Sequence, residues 1–179
     1  MTIIYIISKL ITIPGALMKG FWEQAFCRAF KSPVESNDYI RMDELCGHTG
    51  HELIPTSARS FWFNFLSGIF NFGMGILMAA GPVISLFILD FQIGSIFGKI
   101  IAYVILWIGI SLISNLFPLV EDALNMWEKI YGKENKSTII GKILYFIPTV
   151  IMIIGAYLES YGITTIINIG AVVAVALLV

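Results

Sequence analysis

A chain of 179 residues that is 58% hydrophobic and 13% charged, with a mean hydropathy of +0.86, is too apolar for a soluble domain, which carries about 25% charged residues. A formal net charge of −1 and the lack of any long basic run leave no footprint for nucleic acid. Composition bounds the class to a polytopic membrane protein bathed in lipid.

Residues 2–20 form a first apolar run, and a helix needs about 20 such residues to cross a bilayer. Lys9 is its one central charge, so the segment is tilted, packed against protein or only partly inserted. Pro14 predicts a kink. No basic residues precede the run and no small-residue cleavage signal follows it, so it reads as a retained span rather than a signal peptide. The stretch Ile13–Cys27, IPGALMKGFWEQAFC, then places Lys19 and Glu23 four residues apart on one helical face. The plain reading is an interfacial helix end with a snorkelling lysine and a solvated glutamate. Inside the membrane the two would need to pair or to face a wet cavity.

Residues 22–60 are polar, with Pro33 and Pro55 as breakers. The first part continues as a short helix through Phe30. The middle, Asp38–Glu52, lacks helical periodicity and is expected to form a short hairpin turning at Cys46-Gly47 or Gly50. Residues 61–89 are a long apolar run in which Gly81-Pro82 predicts a break: one spanning helix to Ala80, then a shorter element. Asn64, Gly68, Asn71 and Gly75 share a face and read as a helix-packing seam, because small residues allow close approach and buried amides need partners. Residues 93–115 are the next span, with Lys99 near one end. Residues 118–137 form a second polar segment. Pro118 either ends the preceding span or opens a short helix there, whose first turn holds Glu121 and Asp122, where negative charge suits the helix dipole. Leu124, Trp127 and Ile130 are its expected apolar face. Residues 138–158, kinked at Pro148, and 162–179 are the last two spans, with Glu159 and Ser160 at the turn between them.

The fold class is therefore an all-α membrane protein, a single domain of about five transmembrane helices with a polar loop that holds a short hairpin. Arg28, Lys31, Arg41 and Arg59 lie in the first large loop, and Lys129, Lys133, Lys136 and Lys142 in or just beyond the second. The positive-inside rule puts both loops in the cytoplasm, the N-terminus outside and the C-terminus inside. Cys27 and Cys46 flank a loop that this topology keeps reduced, which argues against their pairing.

Three polar clusters are placed to meet at the cytoplasmic face: Lys19 with Glu23, the stretch Cys46-Gly47-His48-Thr49-Gly50-His51-Glu52, and Glu121 with Asp122. Cys, His and carboxylate are the usual zinc ligands, so Cys46, His48 and His51 invite a metal reading, although their spacing matches no closed structural zinc pattern. Solvated loop histidines are the plain alternative. No Ser-His-Asp or Cys-His set and no phosphate-cradling glycine loop is present.

Three stretches resemble a family of small bacterial and archaeal membrane zinc metalloproteases related to the site-2 intramembrane proteases. In that family Ile-Pro-Gly precedes a His-Glu-x-x-His helix and then Phe-Cys; here Ile13-Pro14-Gly15 and Phe26-Cys27 stand at the same separation. Gly47-His48-Thr49-Gly50-His51-Glu52 is similar to a second segment of the Gly-Tyr-Val-x-His-Glu type. Phe117-Pro118-Leu119-Val120-Glu121-Asp122 is similar to a Phe-Pro-x-x-x-Asp segment that follows a membrane span. The likeness covers most of the chain, and it implies an integral protein of a bacterial or archaeal cell membrane.

The departure is in the metal motif. The His-Glu-x-x-His positions fall on Lys19, Gly20 and Glu23, so both histidines and the catalytic glutamate are replaced. Two such histidines hold zinc and the glutamate deprotonates its water, so the resemblance implies a catalytically inactive relative without its zinc. Asp122 matches the position of an acidic third ligand, and Glu23 remains a candidate ligand. Lys19 is expected to pair with Glu23 or Asp122 in place of the metal's charge. The leading expectation is a protein that binds or regulates another membrane protein. One alternative is an active metalloprotease with a rebuilt zinc site of His48, His51 and either Asp122 or Glu23, and Glu52 as base. Others are a small transporter or channel subunit using Lys9 or Lys99, and a purely structural protein.

Overall fold

A computed structural model describes residues 3–32, 34–41, 46–51, 56–88, 96–132 and 138–178, the two strand segments by their backbone. These residues form seven α-helices and one hairpin: α1 (Ile3–Ile11), α2 (Ile13–Phe30), β1 (Val34–Arg41), β2 (Cys46–His51), α3 (Ser57–Val83), α4 (Ile96–Ser114), α5 (Val120–Tyr131), α6 (Ile139–Ser160) and α7 (Ile163–Leu178). By length and composition, three helical segments qualify as membrane spans: Ser57–Phe87, Ile96–Ser114 and Ile139–Ser160. Helix α7 is apolar but shorter. The chain is thus a helical integral membrane protein.

The first apolar run is broken at Thr12, whose φ of −104° and ψ of 23° leave the helical region. Pro14 causes the break, because it has no N–H to give the preceding turn. Polar groups freed in lipid must be satisfied inside the protein, and α4 satisfies them. Trp107 Nε1 donates to Ile11 O at 2.8 Å, Asn115 Nδ2 to Thr12 O at 3.2 Å, and the Gly15 N–H to Ser111 Oγ at 2.7 Å. Gly15 also permits the approach itself: a Cβ there would lie 2.0 Å from Ser111 O. Helix α2 then runs on to Phe30, as expected from the sequence, and ends at Lys31 in the left-handed region (φ 56°). There Ser32 N donates to Cys27 O at 2.9 Å and Lys31 N to Arg28 O at 3.2 Å, which satisfies two terminal carbonyls.

The expected seam on α3 is real. Asn64, Gly68, Asn71 and Gly75 are buried. A Cβ on Gly68 would meet Leu116 O at 2.1 Å, and one on Gly75 would meet Gly109 O at 2.9 Å. Asn71 Nδ2 faces three carbonyls, Gly15 O at 3.3 Å, Leu112 O at 3.0 Å and Asn115 O at 2.9 Å, and so joins α2, α3 and the end of α4. These three helices pack on one another to form the centre of the bundle. Helix α5 packs on α3 and α6, while α7 packs on α4 and α6.

Two sequence-based boundaries change. Gly81-Pro82 does not break the third run: α3 passes through Pro82 and continues as a π-helical segment, Ile84–Ile88. Proline is tolerated within membrane helices where wider turns re-satisfy the freed groups, and Ser85 Oγ donates back to Pro82 O at 3.3 Å. The hairpin exists, formed by β1 and β2 pairing antiparallel. Cys46-Gly47 and Gly50 are not turn residues; they lie within β2, where Arg41 pairs with Cys46 and Ser36 with Gly50. The buried face of α5 also shifts, to Ala123, Met126 and Ile130, leaving Leu124 exposed.

Candidate functional site

The break at Thr12 turns Lys9 into the interior. Lys9 is 3% exposed, and its ammonium donates to Glu159 Oε1 and to Asn115 Oδ1, each at 2.8 Å. Of the three routes open to a mid-span lysine, this chain takes packing against protein. Glu159 is 5% exposed and completes the end of α6. Its second oxygen, Oε2, accepts the Phe117 N–H at 2.9 Å.

Lys19, on α2, reaches the same carboxylate from the other side. It is 4% exposed, donates to the Phe117 carbonyl, and has its Nζ 3.8 Å from Glu159 Oε1. Both backbone polar groups of Phe117 are therefore held, the N–H by Glu159 and the C=O by Lys19. The Phe117 ring lies against Gly155, where a Cβ would meet ring carbons at 2.2 Å. Pro118 and the first turn of α5 follow directly, with Glu121 and Asp122 at its N-terminus.

Two carboxylates, Glu23 of α2 and Asp122 of α5, act on one buried thiol nearby. Glu23 is 3% exposed on α2, one turn beyond Lys19. Cys27, one turn further, is free and fully buried. It lies beyond the apolar run ending at Gly20. Burial pushes its thiol up to about 12, and the charges of Glu23 and then Asp122 push it the same way. Glu23 of α2 and Asp122 of α5 are thus near enough to act on one sulfur.

Of the three polar clusters, the structure places Lys19 and Glu23 on α2, with Lys19 bonded to Phe117 O and with Glu23 and Asp122 both close enough to act on Cys27; Glu121 is exposed. Both strands of the hairpin pack on α2. His48 and His51 lie on β2, but their side chains, like the whole of Glu52, fall outside the described residues. Among the described residues no group of three or more His, Cys, Asp or Glu side chains is placed to hold a metal ion. Lys99 is exposed at the start of α4.

A zinc ion in the position implied by the metalloprotease likeness does not fit these residues. Lys19 stands where the first ligand would stand, as a cationic donor already engaged with Phe117 O. Gly20 offers no side chain to accept a proton. Glu159 was missed as a site residue because the sequence placed it at a turn. The signal was available: a buried Lys9 requires an acid among the apolar runs, and Glu159 is one of few.

No family model, no curated protein and no solved structure matches this chain. The likeness to intramembrane metalloproteases therefore stands on its three sequence stretches.

Proposed function

We propose that this chain is a non-catalytic membrane protein of the intramembrane-metalloprotease type, which binds a segment of another membrane protein without cutting it. The observation that carries the reading is Lys19, which is buried, bonded to the Phe117 carbonyl and set beside Glu159 at the position where the likeness calls for a metal ligand. An ammonium there supplies a fixed positive charge between α2 and the Phe117-Pro118 turn. It repels a dication, and Gly20 removes the base that would activate water. Around it, α2 packs on both strands of the hairpin and on α3 and α4. Such surfaces receive extended segments or apolar helices through backbone hydrogen bonding and packing. The large polar loops are assigned to the cytoplasm on their charge.

The test expresses the full chain with single-span reporter proteins and follows two readouts. Co-purification of a reporter that stays intact supports the proposal. Reporter cleavage that is lost in His51→Ala would overturn it in favour of a rebuilt metal site on the hairpin.

A further inference from the structure

Helix α1 is attached in an unusual way. Its described apolar side chains, Ile3, Ile4, Ile6, Ile7, Leu10 and Ile11, are all exposed by more than a third of their surface. Among the described residues of α1, the buried side chains are polar: Ser8 and Lys9. Lys9 bonds Glu159 and Asn115, the hydroxyls of Ser8 and Thr165 lie 2.7 Å apart, and Trp107 holds Ile11 O. Gly162, at φ 75°, brings the α6–α7 turn against α1, where its added Cβ would sit 3.1 Å from Ser8 Cβ. Among the described side chains of α1 no large apolar one is buried in this contact, and in lipid an apolar face is equally content against acyl chains.

The surface beneath α1 presents two acceptors to Lys9, Glu159 Oε1 and Asn115 Oδ1, with the Thr165 hydroxyl paired to Ser8 beside them. An empty surface of this kind would strand a carboxylate in the membrane, which is costly. Lys19 removes that obstacle, since its ammonium is already 3.8 Å from Glu159 Oε1 and needs only a short movement to take over. Lys9 stands in the last turn of the nine-residue α1, so it leaves the surface together with α1 when that helix is released. The break at Thr12 supplies a hinge between α1 and α2.

We infer that the Asn115–Glu159–Thr165 surface is a docking site for a transmembrane helix carrying a lysine or arginine within its apolar stretch, with α1 as its resident, exchangeable occupant. The inference rests on the binding reading above and names the partner's chemistry. The charge of Glu159 sets the preference: a helix with a basic residue restores the ion pair that α1 gives up, while an all-apolar helix does not.

The experiment reconstitutes the full chain in phospholipid nanodiscs with a synthetic polyleucine helix of about 20 residues. The helix carries a photoreactive residue and either a central lysine or leucine in its place. The lysine peptide should crosslink to the Glu159–Asn168 stretch about threefold or more above the leucine peptide. Glu159→Gln should abolish that preference. A Ser8→Cys/Thr165→Cys disulfide, made in a Cys27→Ala/Cys46→Ser background, should block crosslinking, and reduction of the same sample should restore it, which excludes misfolding as the cause. Equal crosslinking by both peptides, or crosslinking unchanged by the disulfide, overturns the inference. Reporter cleavage in the separate assay above would overturn the non-catalytic reading alone.

Discussion

Removing the Glu159 carboxylate should be the most damaging single change in the bundle. Glu159→Ala leaves Lys9 and Lys19 as two buried cations with no shared anion, and it orphans the Phe117 N–H. Breaking a buried pair by deleting one partner costs about 3–5 kcal/mol, because the surviving charge is stranded. Losing the acceptor of a buried N–H adds about 1–3 kcal/mol. Membrane hydrogen bonds often measure less than these soluble values, about 0.6 kcal/mol on average. A loss of at least about 3 kcal/mol is still expected, since two donors and a second cation depend on one side chain. Glu159→Gln keeps an acceptor for Phe117 and loses only the charge, so it should fall between wild type and Glu159→Ala. Reversible unfolding in mixed micelles, by titration with a denaturing detergent, measures both. A Glu159→Ala protein within about 1 kcal/mol of wild type would refute the shared-carboxylate account.

The two lysines should be strongly non-additive in the same titration. Lys9→Met and Lys19→Met each leave one cation for Glu159, so the double variant should exceed the sum of the singles by about 1 kcal/mol or more; additivity would show that they do not share a partner. Gly15→Ala should destabilise by about 1–3 kcal/mol or more, because its Cβ would lie 2.0 Å from Ser111 O and 2.4 Å from Ser111 C, both backbone atoms. Unchanged stability would place α2 further from α4 than described here. Cys27 should resist a water-soluble maleimide at pH 8 in the folded protein and react on unfolding, since the thiol is buried and protonated. Its folded value lies above its ordinary 9.0, so the stabilisation it contributes is complete below pH 9 and is lost as pH rises towards about 12. Cys27→Ala should therefore show a shallower loss of stability between those values.

The sequence predicts the helical membrane class and the positions of the apolar runs, because hydropathy over long windows reports the solvent directly. The α3 seam was legible because Asn64, Gly68, Asn71 and Gly75 recur on one helical face. The course of the chain at its prolines was not. Pro14 does break its helix and Pro82 does not, and the difference lies in the neighbours: α4 supplies Trp107, Asn115 and Ser111 to the freed groups at Thr12, while a π-helical segment absorbs Pro82. Local pattern holds no record of those partners. The same limit applies to the site. Lys19, Glu23 and Asp122 were visible as ionisable groups in or near apolar runs, and the structure bonds Lys19 to the Phe117 carbonyl and sets Glu23 and Asp122 near Cys27. That Lys9 and Glu159, 150 residues apart, would close on one another depends on how α1 and α6 are packed. Their need for partners was evident, but the identity of those partners was not.

The central claim is that Lys19 stands in place of a metal. Elemental analysis of the purified, full-length protein tests it most directly, run beside a His48→Ala/His51→Ala variant. The account predicts far less than one zinc per chain in both proteins, about 0.1 or lower. About one zinc per chain in the wild type, lost in the variant, would contradict it and move the site onto the hairpin.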